Sequence, residues 1–240
     1  MPNWSAPPRP AEYVEQVLID AILDGTYPPN STLPGERDLA EQLGVTRPTL
    51  REALQRMARD GWITIQQGKS TEVRDVWTEG GLNILGSLVH YGHKVPFDFV
   101  PKLLEVRLIL APAYARAAVA NEERSDVITY LNTYVDLETE PRAYARFDWC
   151  LHHILTVASG NPIYTLILNG FEELYETMGY IYFALPEAMD SSQDFYADLL
   201  AAAQQSDPDT AEVTTRAVMA KSQVLWKEAE RQRQLETKQT

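Results

Sequence analysis

Cysteine is nearly missing from this 240-residue chain, which holds only Cys150. That excludes an intrachain disulfide and a cysteine zinc cluster, and it fits a reducing compartment. Positive charge is scarce too: 21 Lys and Arg stand against 34 Asp and Glu, a formal net charge of −13. Such acidity argues against nucleic acid as a partner of the chain taken whole. No apolar run approaches the roughly 20 residues of a membrane span. The opening Met1-Pro2-Asn3-Trp4 has no charged-then-apolar leader pattern, so the expectation is a cytoplasmic protein without a membrane partner. Internal repeats and low-complexity tracts are missing. So are the motifs of common enzymes: a phosphate-cradling Gly loop, a metalloprotease His pair, or a Ser/His/Asp order supported by a local motif. Cys150 lies two residues before His152, and side chains at i and i+2 of a helix point apart, so it reads as a packing residue rather than a nucleophile.

What remains is an ordinary globular composition, 45% hydrophobic and 23% charged, long enough for one large domain or two modest ones. The charge is uneven. Residues 1–77 hold 8 basic and 11 acidic side chains, a net −3, which leaves −10 for the rest. Within the first part, Leu43 to Arg59 carries Arg47, Arg51, Arg56 and Arg59 against Glu52 alone. By itself such a stretch describes a solvated helix face. Its setting gives it more meaning.

Apolar residues Val14, Val17, Leu18, Ala21 and Ile22 line one face of a predicted helix from Ala11 to Asp24, with Gly25 as its stop. Tyr27-Pro28-Pro29-Asn30 reads as extended or turn backbone. A second helix is predicted near Pro34, with Leu39, Ala40 and Leu43 inward, and Gly44 breaks it. Thr46 is placed to N-cap a third helix running to about Asp60, with Pro48 tolerated in its first turn and Leu50, Ala53, Leu54 and Met57 buried. Helix, short Gly-containing turn, helix is a helix-turn-helix. After Gly61 the period changes to two: Trp62 to Gln66 and Thr71 to Arg74 read as a hairpin turning at Gln67-Gly68-Lys69-Ser70, a wing. Thr46, Arg47, Thr49 and Arg51 then sit on or just before the helix end that enters a major groove. Hydroxyls and a helix N-terminus suit phosphates, and Arg pairs with guanine O6 and N7. Arg37 opens the second helix, and Gln67 and Gly68 form a small polar wing tip suited to a minor groove.

Beyond Trp77-Thr78-Glu79-Gly80-Gly81, read as a hinge, only helical spacing appears. Segments near 82–91, 98–120, 123–136, 142–158, 162–183, 188–205 and 208–233 give about seven helices. The expected fold is mainly α: a winged helix-turn-helix domain over 1–76 and an all-α bundle over 77–240. Asn161 and Pro162 cap a helix whose broad apolar face includes Ile163, Leu166, Ile167, Phe171, Leu174, Tyr175, Met178 and Tyr182. Core packing explains most of that face. The two tyrosines are different, because each buried hydroxyl needs a partner.

Two stretches, Pro28 through Ala40 and Leu43-Gly44-Val45-Thr46-Arg47-Pro48-Thr49-Leu50-Arg51-Glu52-Ala53-Leu54, resemble the GntR family of bacterial transcription regulators. Arg59 through Lys69, and Ala158-Ser159-Gly160-Asn161-Pro162-Ile163-Tyr164 with Leu166 through Gly170, are similar to the FadR group of fatty-acid metabolism regulators within it. The resemblance covers nearly the whole chain. It implies a homodimer that reads double-stranded operator DNA, represses fatty-acid degradation genes and activates biosynthetic ones. It also implies long-chain fatty acyl-CoA as effector rather than a cofactor. Arg37, Thr46, Arg47, Thr49, Arg51 and Gly68 match operator-contacting positions. Pro48 stands where the group typically has a hydroxyl residue, and Gln67 where it has His. Arg107, Tyr175, Tyr182, Ser222 and Trp226 match positions that line or close the family's pocket, and Phe171 joins them from the apolar face. Met219 and Lys221 replace the Gly and Glu expected just before Ser222.

Two alternatives stay open. Asp148 and His152, four apart on one helix face, have the spacing of a shared cation, as in GntR regulators that answer small organic acids through a metal. The positions that would complete such a site hold Tyr196 and Val218, so the expectation is no metal. An acyl-CoA-processing enzyme is the other alternative. His90 and His93, near the hinge, read as solvated.

Overall fold

The computed structural model describes residues 10–91 and 98–237, in two compact units that divide between Pro96 and Phe97. In the first unit, α1 (Pro10–Leu23), α2 (Glu36–Leu43) and α3 (Arg47–Asp60) enclose a core of Val14, Leu18, Ile22, Leu39, Ala40, Leu50, Ala53, Leu54 and Met57. These are the faces that the 3.6-residue period selects. Gly44 makes the turn between α2 and α3 possible. Its φ of 66° is left-handed, its N–H donates to the Glu41 carbonyl, and the following N–H, of Val45, donates to the Ala40 carbonyl. Thr46 then accepts a hydrogen bond from the Thr49 N–H at 3.4 Å and opens α3.

The wing is shorter than its sequence pattern suggests. β1 (Ile63–Thr64) and β2 (Glu72–Val73) pair antiparallel with Ile63 opposite Val73. Trp62 departs from the alternation because its N–H bonds back to the Met57 carbonyl, turning the indole into the core. Residues 30–33 supply a third rung: Asn30 and Leu33 donate to the carbonyls of Val73 and Thr71, and Val73 donates to Ser31. The wing is thereby tied to the segment before α2. The predicted hinge is instead a helical turn, α4 (Val76–Glu79), because Asp75 accepts from the Trp77 N–H at 3.2 Å. α5 (Leu82–Tyr91) packs on α1 and α3 and is grouped by its contacts with the first unit.

The second unit is helical throughout its described residues: α6 (Phe99–Ala120), α7 (Arg124–Leu131), a 3-10 turn at Tyr134–Asp136, α8 (Pro141–Ala158), α9 (Pro162–Asn169), α10 (Glu172–Phe183), α11 (Pro186–Gln205) and α12 (Pro208–Thr237). α12 lies along α6, α10 along α8 and α11 along α12. The helix expected over 162–183 is two. Gly170 weakens the helix, and Phe171 closes it with a tighter bond to the Leu168 carbonyl at 2.9 Å. On α10, Gly179 allows a close approach to α8, since a Cβ there would lie 2.8 Å from the Ala145 Cβ. No described helix is long and apolar enough to cross a membrane.

Candidate DNA-binding surface and ligand cavity

The basic stretch of α3 divides into structural and free arginines. Arg56 reaches back to the buried Glu15 of α1 at 3.2 Å and also pairs with Glu52, so it braces α1 against α3. Arg59 pairs with Asp60. Arg47 is exposed on the first turn of α3, and no ion pair to it is found among the described residues. Arg51 contacts Glu36 of α2 at 2.7 Å with its side chain 57% exposed, and Arg37, 82% exposed, holds Asp38. Exposed pairs of this kind are worth about 0–1 kcal/mol, which a phosphate or a guanine edge can outbid.

Thr46, Arg47 and Pro48 are exposed together at the start of α3, with Thr49 half-buried beside them. The Thr46 and Thr49 hydroxyls meet at 2.9 Å. Gln67 and Gly68 are exposed at the wing tip, where Gly68 takes φ 75°. The helix end and the wing tip thus present a small cationic and polar surface in a unit whose acidic groups are partly consumed by ion pairs.

In the second unit, Arg107 of α6, Phe171, Tyr175 and Tyr182 of the α9–α10 region, and Ser222 and Trp226 of α12 all line one cavity between α6, α10 and α12. It encloses about 690 Å³ of space between atoms, part of it open to solvent. Most of its wall is hydrocarbon, including Leu103, Leu104, Leu174, Met178 and Phe195. The Tyr182 hydroxyl and the Trp226 indole N–H are buried without a hydrogen-bond partner. Ser222 spends its proton on the Met219 carbonyl at 2.8 Å and keeps its lone pairs free.

One wall of the cavity is a buried polar cluster. Arg107 donates from Nη2 to the Tyr175 oxygen at 2.8 Å and lies 3.7 Å from Asp148 Oδ2. Tyr175 donates to Asp148 Oδ2, and Tyr196 donates to Oδ1 at 3.0 Å. Burial works against the Arg107 charge, but the Tyr175 oxygen and the Asp148 carboxylate more than offset it and push its pKa up. Burial, reinforced by the Asp148 charge, lifts both phenols well above their ordinary range, so they stay protonated and donate.

His152 is fully buried, and burial lowers its pKa to about 4. Its neutral ring meets the Tyr114 hydroxyl at Nδ1, 2.7 Å away, while Nε2 faces Asp148 Oδ2 at 3.8 Å. Asp148 and His152 do share a face, as their spacing predicted. Both Asp148 oxygens and His152 Nδ1 are engaged by tyrosines, His152 Nε2 has no hydrogen-bond partner, and no group of three or more metal-ligating side chains occurs among the described residues. The side chains of His90 and His93 lie outside the described residues. Sequence reasoning missed Asp148 as the anchor of Arg107. The missing signal is a residue on another helix, invisible to periodicity.

Comparison with known proteins adds the following. Residues 10–73 match the family model for bacterial regulatory proteins of the gntR family, and residues 74–239 match the FadR C-terminal domain. A fatty acid metabolism regulator protein of Shewanella halifaxensis is 44% identical over 190 residues, 79% of each chain. One from Erwinia tasmaniensis is 43% identical over 193 residues, 80% of each chain. Among solved structures, Lar, described as controlling the Listeria monocytogenes agr system, superposes with a TM-score of 0.60 at 18% identity, over 94% of this chain and 99% of its own. At that identity the likeness speaks for the fold alone.

Proposed function

We propose a function from one premise: the chain belongs to the GntR family of bacterial regulatory proteins and carries the C-terminal domain of its FadR group. It is a transcription regulator of fatty-acid metabolism rather than an enzyme. Its operator is double-stranded DNA, bound by a homodimer in which each α3 enters a major groove and each wing tip a minor groove, so a palindrome mirrors the protein two-fold. Arg47 and Arg51 read bases, Arg37, Thr46 and Thr49 hold phosphates, and Gln67 and Gly68 approach the minor groove. Pro48 fixes the first turn and supplies no donor.

The effector is a long-chain acyl-CoA in the α6–α10–α12 cavity, and its binding lowers operator affinity, which relieves repression of degradation genes and withdraws activation of biosynthetic ones. The observation that carries this is convergence. Six residues drawn from three regions of the chain line one apolar cavity that still holds unpaired polar atoms suited to the amides of a pantetheine arm. Each buried methylene of an acyl chain contributes about 0.8 kcal/mol. The test is a titration of protein bound to its own promoter fragment with octadecanoyl-CoA, coenzyme A and a dicarboxylate, followed by fluorescence anisotropy. Release by the acyl-CoA alone is expected; release by the dicarboxylate, or by none of them, overturns the effector assignment.

A further inference from the structure

The two arginines assigned to bases differ in one respect. Arg47 has no ion pair among the described residues, whereas Arg51 donates from Nε to Glu36 Oε2 at 2.7 Å. Glu36 is the first residue of α2, fifteen positions before Arg51, so the bond crosses the turn of the helix-turn-helix. It engages one edge of the guanidinium. No bond from either Nη atom is found among the described residues, and the side chain is exposed. The end of the fork, which carries every remaining N–H, is thus left open. A carboxylate on a surface that meets a polyanion is a cost to binding unless it does something else.

We propose that Glu36 is a specificity-determining position of the operator surface: it aims the Arg51 fork at a base and penalises any phosphate that takes the base's place. This rests on the reading of α3 as the helix in the major groove. The two acceptors differ in charge. Guanine O6 and N7 are neutral, so a fork with a carboxylate on its other edge meets them with little loss. A phosphate oxygen is anionic, and the Glu36 charge repels it. Non-specific binding is almost wholly attraction to phosphates, so the carboxylate weakens it selectively. At a separation of about 7 Å in water the repulsion is worth about threefold in affinity, and a dimer carries the residue twice. Aim is the second part. A free arginine samples many rotamers, and a held Nε lowers the entropy lost when both Nη atoms pair at once. Asp38 offers the contrast. It holds the Arg37 Nε at 3.1 Å in the same way, but Arg37 is assigned to a phosphate, so Asp38 weakens binding to every duplex alike. Both carboxylates also suit the first turn of α2, a role that touches stability and leaves discrimination between sequences alone.

The test uses the full-length protein and anisotropy Kd values at low salt for two duplexes, its own promoter fragment and a scrambled sequence of the same length and composition. The readout is the ratio of the two. Glu36→Ala should bind the scrambled duplex about fivefold to tenfold more tightly, as the repulsion is lifted. Its ratio should fall by about tenfold or more, because the aim of Arg51 is lost as well. Glu36→Gln keeps an acceptor for Nε and loses the charge, so its ratio should lie between those of the wild type and Glu36→Ala. Asp38→Ala should tighten both duplexes and move the ratio by less than about twofold. A ratio in Glu36→Ala within about twofold of the wild type, or a parallel weakening on both duplexes, overturns the proposal and leaves α3 standing as the reading helix. Parallel weakening is what the loss of a purely structural carboxylate gives. A wild type that does not prefer its promoter fails the operator reading itself, and this proposal with it. Where Glu36→Ala folds poorly, Glu36→Gln decides the matter, since a gain on the scrambled duplex cannot come from a damaged fold.

Discussion

The guanidinium of Arg107 lies 4.8 Å from the ring centroid of Tyr175 and donates to that residue's hydroxyl at 2.8 Å. Tyr175 passes the polarity on to Asp148, and so a cation, a phenol and a carboxylate form one wall of an otherwise apolar cavity. Such a cluster is worth having only when complete, because a buried charge left without its partner is expensive.

Asp148→Ala should therefore lower unfolding free energy by about 3–5 kcal/mol in urea titrations at pH 7, since it strands the Arg107 charge. The double variant Arg107→Met with Asp148→Asn should regain most of that loss. A single variant within about 1 kcal/mol of wild type would show that water reaches the guanidinium.

Acid should act through His152. Its folded pKa of about 4 lies below the ordinary value, so the unfolded chain binds the proton more readily. Stability is full above about pH 6.5, falls as pH drops towards 4, and changes no further from this source below that. His152→Gln should flatten the stability profile between pH 6.5 and 4. An unchanged slope would assign the acid sensitivity to the carboxylates.

Arg47→Ala and Arg51→Ala should leave the melting temperature within about a degree of wild type, because both side chains are exposed and exposed groups contribute little. Each should abolish specific operator binding in anisotropy assays. Retained operator affinity in either variant argues against α3 as the reading helix.

Thr46→Ala removes the N-cap of α3. The capping bond is long, 3.4 Å, so the cost should fall near the low end of the usual range, about 0.5–1 kcal/mol in urea titrations. Operator affinity should fall by more than this stability change accounts for if the hydroxyl also holds a phosphate; an equal fall makes it a cap only.

Trp226→Phe keeps the ring in the cavity wall and deletes the unpaired indole N–H. Octadecanoyl-CoA should bind about fivefold to tenfold more weakly, the worth of one hydrogen bond, while the melting temperature of the free protein is unchanged or raised. Unaltered affinity would place the pantetheine arm elsewhere.

Much of the first unit could be read in the chain. The cap at Thr46, the stop at Gly44 and the spacing of Leu50, Ala53, Leu54 and Met57 are local signals, governed by groups within four residues of one another. The Arg56 bond to Glu15 was not legible. It spans 41 positions and turns a member of the basic stretch into a brace between α1 and α3. In the second unit, the period over 162–183 gave one helix where the structure has two, because a single Gly weakens a helix too little to decide the matter without its packing partners.

The sequence by itself therefore determined the helical composition, the helix-turn-helix with its wing, and the family through Leu43 to Leu54. It also supplied the six candidate ligand residues, through resemblance. Only the tertiary structure decided that those six share one cavity and that Asp148 anchors Arg107 through a tyrosine 68 positions from the arginine. The reason is physical. Helix periods and caps are set by neighbours along the chain, whereas cavities and buried charge pairs are set by which helix faces meet, and that is fixed only once the whole unit has packed.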